Sequence, residues 1–213
     1  QIRSQEECTT SCDGGAPLVI FAPIKKTRAK QMVEKCTELG AAAFIPIVTD
    51  RAEKGNVMSL ASYTGLDKLS MQALEASEQC ERLSIPQVLL NPSVSCDVTS
   101  EEQSSCWTLE DLLERWECGI TSKRKLLVCR ERGAGKGTTP ILDALDDVSH
   151  DGLTIVSAFL IGPEGGWSPE EELLLDDEER YPFIRSVSLG DLVLRAETAA
   201  MMAVGAWSLS RKQ

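Results

Sequence analysis

Residues 153–175 read LTIVSAFLIGPEGGWSPEEELLL, and this stretch sets the fold class. Leu153 to Ile161 is an unbroken apolar run of strand length, the pattern of a strand covered on both faces of its sheet. It ends in Gly162-Pro163-Glu164-Gly165-Gly166-Trp167-Ser168, after which Ser168 can cap and Pro169 can start an acidic helix. Gly162, Gly165 and Gly166 leave two readings open. They serve a tight turn with positive φ, or they let backbone approach a ligand, since ligands of parallel sheets bind beyond the carboxyl ends of the strands.

Working outward, Pro17 to Ala22 predicts another buried strand, and it leads into a helix with Ala29, Met32, Val33, Cys36 and Leu39 on one side. Gly40 stands where a left-handed helix stop is expected. A strand at Ala43 to Val48, a helix at Leu66 to Arg82 and a strand at Gln87 to Leu90 follow. After a polar insertion at 91–106, helices are expected around Leu109–Trp116 and Ile141–Val148, with a strand at Lys125–Cys129 between them. Alternating strands and helices predict an α/β fold, a parallel sheet with helices on both faces. The last helix, around Ala199 to Leu209, is apolar nearly all round, which predicts burial in a crowded core or a subunit interface.

At 213 residues, with 42% hydrophobic and 26% charged residues, one core is the default: residues 1–16 form a polar tail and 17–213 one domain. No apolar run reaches the length of a membrane span, so no membrane partner is expected. Eight cysteines accompany one histidine, His150, but no CxxC pair occurs, and the spacing favours scattered thiols over a zinc site or disulfides. The net charge of −11 argues against a generally basic nucleic-acid binder. The acids nevertheless crowd one region, Glu164 to Glu179, whereas Lys25, Lys26, Arg28, Lys30, Lys35, Arg51 and Lys54 make an early segment basic. A basic face and merely solvated helix surfaces are both consistent with that distribution.

Two nucleotide motifs are excluded. The GPEGG loop does not fit GxGxxG, and Gly133 to Thr138 imitates a phosphate loop with Arg130 where the first glycine belongs and Gly137 where Ser or Thr should follow the lysine. Arg130, Glu131 and Arg132 read either as ligand-loop residues or as a charged surface turn. The second informative segment is Ser188-Leu189-Gly190-Asp191-Leu192-Val193-Leu194-Arg195-Ala196-Glu197-Thr198-Ala199. Arg195 and Glu197 enter a nearly all-apolar helix, where charge is costly unless paired or used. An active-site role and a structural Arg–Glu pair are the two accounts.

LIGPEGGWS with its acidic helix, followed by SLGDLVLRAETA, resembles the paired signature of the RsmE methyltransferases of the SPOUT superfamily. Upstream, KKTRAKQMVEKCTELGAAAFIPIVTDRAEKG and ALEASEQCERLSIPQV extend the resemblance over Leu18 to Leu209, apart from the insertion. The resemblance implies a parallel sheet whose C-terminal segment is threaded into a deep trefoil knot. It implies S-adenosyl-L-methionine held in the knot loops by Leu160, Ile161, Gly162, Pro163, Glu164, Gly165 and Gly166, and by Ser188, Leu189, Gly190, Leu194 and Thr198. It further implies a homodimer, no metal, and methylation of uridine N3 in small-subunit ribosomal RNA or a small-subunit particle. Members usually carry an N-terminal barrel-like RNA-binding domain of the PUA type, which the residues before Leu18 are too few to contain. Many also have a basic residue where this chain has Leu192.

On this reading the catalytic residues are Arg195, holding RNA or the developing uridine anion, and Glu197, taking the proton directly or through water. The alternative classes are a noncatalytic RNA-binding or assembly factor that keeps the knot, and a methyltransferase acting on another RNA. The family implies an intracellular, cytoplasmic enzyme, with a plastid or mitochondrion as the other compartment.

Overall fold

The computed structural model describes residues 16–61, 63–90, 106–116, 123–131, 137–150 and 154–211. The polar tail, most of the 91–106 insertion and the 132–136 part of the phosphate-loop imitation lie outside them, as do Cys8, Cys12, Cys96 and Cys118. The strands are β1 (Leu18–Phe21), β2 (Ala43–Pro46), β3 (Gln87–Val88), β4 (Lys123–Cys129), β5 (Thr139–Pro140), β6 (Thr154–Ile161) and β7 (Ile184–Ser188). The helices are α1 (Lys26–Glu38), α2 (Lys54–Ala61), α3 (Tyr63–Gln79), α4 (Leu109–Arg115), α5 (Ile141–His150), α6 (Pro169–Leu175) and α7 (Ala196–Ser210).

The strands form one seven-stranded sheet in the order β3-β2-β1-β6-β4-β7-β5. Every neighbouring pair is parallel. Both faces are covered, which explains the continuous apolar reading of β6. Val19, Phe21, Phe44, Leu127, Phe159 and Ile161 point to the side of α1, α3, α5 and α7. Ile20, Ile45, Leu126, Val128 and Leu160 point to the side of α4 and α6. Each strand thus divides its apolar residues between two cores, as the two-residue side-chain period requires.

Helix ends follow their sequence signals. Gly40 adopts φ +107°, and the N–H groups of Gly40 and Ala41 donate to Thr37 O and Cys36 O, closing α1 in the left-handed manner. Ser168 caps α6 through a reciprocal pair with Glu171, and Pro169 occupies the first helical position. Two elements were not expected. In α2, Gly55 and Asn56 are weak helix formers in the first turn, and β5 is only two residues long.

Within one chain the last helix is buried on one side only. Ala196, Glu197, Ala199, Ala200, Ala203 and Val204 are buried against the sheet and neighbouring helices, but Met202 and Leu209 are 44% and 88% exposed. Full apolar coverage therefore does not mean full burial here. No described helix is long and apolar enough to cross a membrane.

What this topology does for function is collect loops. The register pairs Phe21 and Cys129 with Ile161, and Cys129 with Val187. The segments that leave β1, β4, β6 and β7 therefore emerge side by side at the carboxyl edge of the sheet, where parallel sheets place their ligands.

Candidate functional site

At that edge lies a cleft of about 470 Å³. One wall is Ile161 to Glu164 with Gly166 and Trp167, the opposite wall is Val193 to Ala196, and Cys129, Arg130, Glu131 and Ala199 are also lining residues. Burial pushes the Cys129 thiol up to about 12, so at neutral pH it is an uncharged, apolar part of the lining. Arg28 and Arg51, from the segments after β1 and β2, complete the rim.

The glycines of the first loop have separate physical reasons. A Cβ on Gly162 would stand 2.9 Å from Cε2 of Trp167, so the indole lies directly on this residue. Gly166 has φ +71°, a conformation that favours glycine. At Gly165 a Cβ would meet Arg51 Cβ at 3.4 Å rather than the cleft. The loop is also tied down from outside. Ser168 Oγ donates to Asp50 Oδ2 at 2.6 Å, Asp50 N–H donates to Glu171 Oε1 at 3.0 Å, and Arg51 Nη1 donates to Gly165 O at 3.3 Å. Through these bonds the capping box of α6 fixes the loop to residues 50–51, and a pre-set loop loses less entropy when it binds.

Charge in the cleft is arranged in two groups. Arg28 pairs with Glu164 of the first loop, and its Nε lies 3.6 Å from Oε1 of Glu197. The other oxygen of Glu197, Oε2, is buried with no hydrogen-bond partner, an expensive state unless something uses that lone pair. Arg130, whose side chain is 1% exposed, pairs with Glu172 and Asp176 and donates to Ser186 Oγ at 3.2 Å. It is a buried ionic anchor between β4, β7 and α6, not a surface turn.

Of the residues singled out from sequence, Ile161, Gly162, Pro163, Glu164, Gly166, Leu194 and Arg195 line the cleft together. Leu160 is fully buried in the core on the α6 side. Ser188, Leu189 and Gly190 lie outside the lining: Ser188 Oγ accepts from Gly190 N–H at 3.3 Å in a turn where Gly190 has φ +124°, and Leu189 packs on the other core. Thr198 is on the exposed face of α7. Glu197 does not open into the cleft; it sits behind Arg28 with its side chain 8% exposed. In the sequence, Arg28 and Arg51 read only as part of a basic face, Val193 only as one residue of the Ser188–Leu194 loop, and Trp167 carries no role. The rule about strand ends, applied to β1 and β2 as well as β6, points to the two arginines.

A match to a family model decides the family: the RNA methyltransferase domain matches residues 17–208. The chain belongs to the RNA methyltransferase domain family. Within this RNA methyltransferase family, the ribosomal RNA small subunit methyltransferase E of Rickettsia conorii is 28% identical over 203 residues, covering 95% of this chain and 68% of that protein. The protein of that name from Synechocystis is 30% identical over 187 residues, covering 88% of this chain and 50% of that protein. The chain thus spans about half to two thirds of the length of these relatives. In fold it is similar to the crystal structure of the ribosomal RNA small subunit methyltransferase E of Neisseria gonorrhoeae bound to S-adenosyl methionine. That likeness has a TM-score of 0.62 at 24% identity and covers 90% of this chain and 65% of that one. Among the described residues no cluster of three or more His, Cys, Asp or Glu could hold a metal ion, and Cys36, Cys80, Cys106 and Cys129 are free thiols.

Proposed function

We propose that this chain transfers the methyl group of S-adenosyl-L-methionine to N3 of a uridine in small-subunit ribosomal RNA. The observation that carries the reading is the cleft at the carboxyl ends of β4, β6 and β7, walled by a glycine loop and rimmed by arginines beside a buried, half-paired carboxylate. At about 470 Å³ it falls within the roughly 300–1,000 Å³ of small-molecule sites. Its walls offer backbone groups at Gly162, Pro163 and Leu194, and apolar surface at Ile161, Val193 and Ala199, for an adenosine and a methionine tail.

When bound, S-adenosylmethionine supplies an electrophilic methyl group. Arg195, exposed at the mouth of the cleft, holds the base and stabilises the negative charge that grows on it as N3 loses its proton. Glu197 lies behind Arg28 rather than in the cleft, so it accepts that proton at Oε2 through water, while Oε1 stays beside Arg28. Ile161, Gly162, Pro163 and Leu194 would hold the cofactor, which would supply that methyl group to N3 and leave as its demethylated product, and the cleft's contribution is alignment.

Two structural proposals accompany this reading. The last segment threads a trefoil knot: in support, β7 lies between β4 and β5, yet α7 returns across the sheet to pack on α1 and β6. A second copy of the chain covers the apolar residues Leu192, Val193, Met202 and Leu209, which are 44–88% exposed and of which Val193 also lines the cleft. A ribosomal substrate places the protein in the cytoplasm or in an organelle with its own ribosomes.

Single-turnover methyl transfer to small-subunit RNA, measured beside calorimetric binding of the cofactor, tests the roles. Arg195→Ala should slow transfer about 10²- to 10³-fold and Glu197→Gln about 10²- to 10⁴-fold, with cofactor affinity little changed. Near-normal turnover of Glu197→Gln would remove it as the proton acceptor. Joint loss of cofactor binding and folding in both variants would make the pair structural.

A further inference from the structure

We propose that Lys26, Lys30 and Lys68 form a contact surface for the phosphates of the RNA strand that flanks the target base, which rests on the RNA reading above. Lys26 and Lys30 lie one turn apart on α1, and Lys68 faces them from α3; Lys30 and Lys68 line one groove of about 270 Å³ between the two helices. Lys26 and Lys68 are exposed. In a chain of net charge −11, acids to pair with are plentiful. None of these three lysines nevertheless has an ion pair among the described residues, although Asp67 and Glu75 line the same groove. They crowd one another instead, and the ammonium of Lys68 above all, then desolvation and the charge of Lys30, depress the pKa of Lys26.

Folding gives no reason for this arrangement. The first turn of α1 has no acidic residue, and its N-cap, Lys25, makes no side-chain cap bond. Cations there oppose the helix dipole and slightly destabilise the helix. An anion at this place would reverse that sign.

The position relative to the cleft is suitable. Arg28, on the cleft rim, lies on α1 two residues from both Lys26 and Lys30, and at about 100° per residue this puts it on the opposite flank of the helix. A strand leaving the cleft past Arg28 crosses only the exposed N-terminal end of α1, about 10–12 Å, to reach the lysines. Uncompensated lysines are what phosphate contact uses, because each neutralised phosphate releases a counterion.

The test is binding of a fluorescent single-stranded, uridine-containing RNA by the whole chain across a salt series, comparing Lys26→Glu/Lys30→Glu/Lys68→Glu with the triple Arg variant. Three lost contacts at about 0.7 each should lower the slope of log K against log salt by about two, with at least tenfold weaker binding at low salt. The triple Arg variant should keep both affinity and slope. Calorimetric cofactor affinity should not change in either. An unchanged slope in the Glu variant, equal losses in both variants, or no RNA binding by the parent chain would overturn the proposal. Failure of the parent chain to bind the cofactor would instead strike the methyltransferase reading, so the two failures are separable.

Discussion

Replacing Gly162 with alanine should loosen the loop after β6 by displacing Trp167. The new Cβ would stand 2.9 Å from Cε2, 3.0 Å from Cζ2 and 3.1 Å from Nε1 of the indole, where carbon contacts settle at about 3.5–4.0 Å. A shift of roughly half an ångström or more follows. The indole cannot make it freely, since Trp167 is 7% exposed and belongs to the core that holds Leu160 and Leu175. Overpacking of this kind costs about 1–3 kcal/mol. At about 2–4 °C per kcal/mol for a chain of this size, the melting temperature should fall by about 2–12 °C. Because Gly162 and Trp167 both line the cleft, a displaced wall should also weaken cofactor binding about tenfold, equivalent to about 1.4 kcal/mol. The assay is a double-mutant cycle of Gly162→Ala with Trp167→Ala, read by thermal melting and calorimetry. On the Trp167→Ala background the methyl group added by Gly162→Ala has nothing to strike and should be nearly neutral. Effects that add within about 0.5 kcal/mol would refute the steric account.

Two further perturbations follow from the same geometry. Arg130→Met leaves Glu172 and Asp176 without their shared cation; denaturant melts should show a loss of about 3 kcal/mol, the low end for a broken buried pair because both carboxylates keep some water. A loss under about 1 kcal/mol would mean the anchor is dispensable. Met202→Glu with Leu209→Glu, both on the exposed face of α7, should give monomers by light scattering where the parent chain is dimeric, without lowering the melting temperature. A dimer that persists would place the second copy elsewhere.

Much of this architecture was legible in the sequence because its signals are local. The apolar run before Gly162, the Ser168–Pro169 start of α6 and the stop at Gly40 each depend on a few neighbouring residues, and each recurs in the structure. The segments that frame the cleft were legible for the same reason, as loops after strands. What was not legible depends on distant packing. Gly162 reads as a turn glycine or a ligand glycine, but its immediate neighbour is Trp167, five residues on. Arg130 reads as a ligand-loop residue or a surface charge until α6 brings Glu172 and Asp176 to it. Arg28 is 136 residues from Glu164, so no spacing could announce their pairing. The α7 helix shows the converse, since an all-round apolar pattern fixes only that each side must meet something apolar, and within this chain one side does not.

The central claim is most directly tested by mass spectrometry of nucleosides from small-subunit ribosomal RNA incubated with the chain and S-adenosylmethionine. The account predicts N3-methyluridine at one position, absent when Arg195→Ala replaces the parent chain in a single-turnover time course. No new methylated nucleoside from a chain that binds the cofactor, or a methyl group on another base or on ribose, would contradict it.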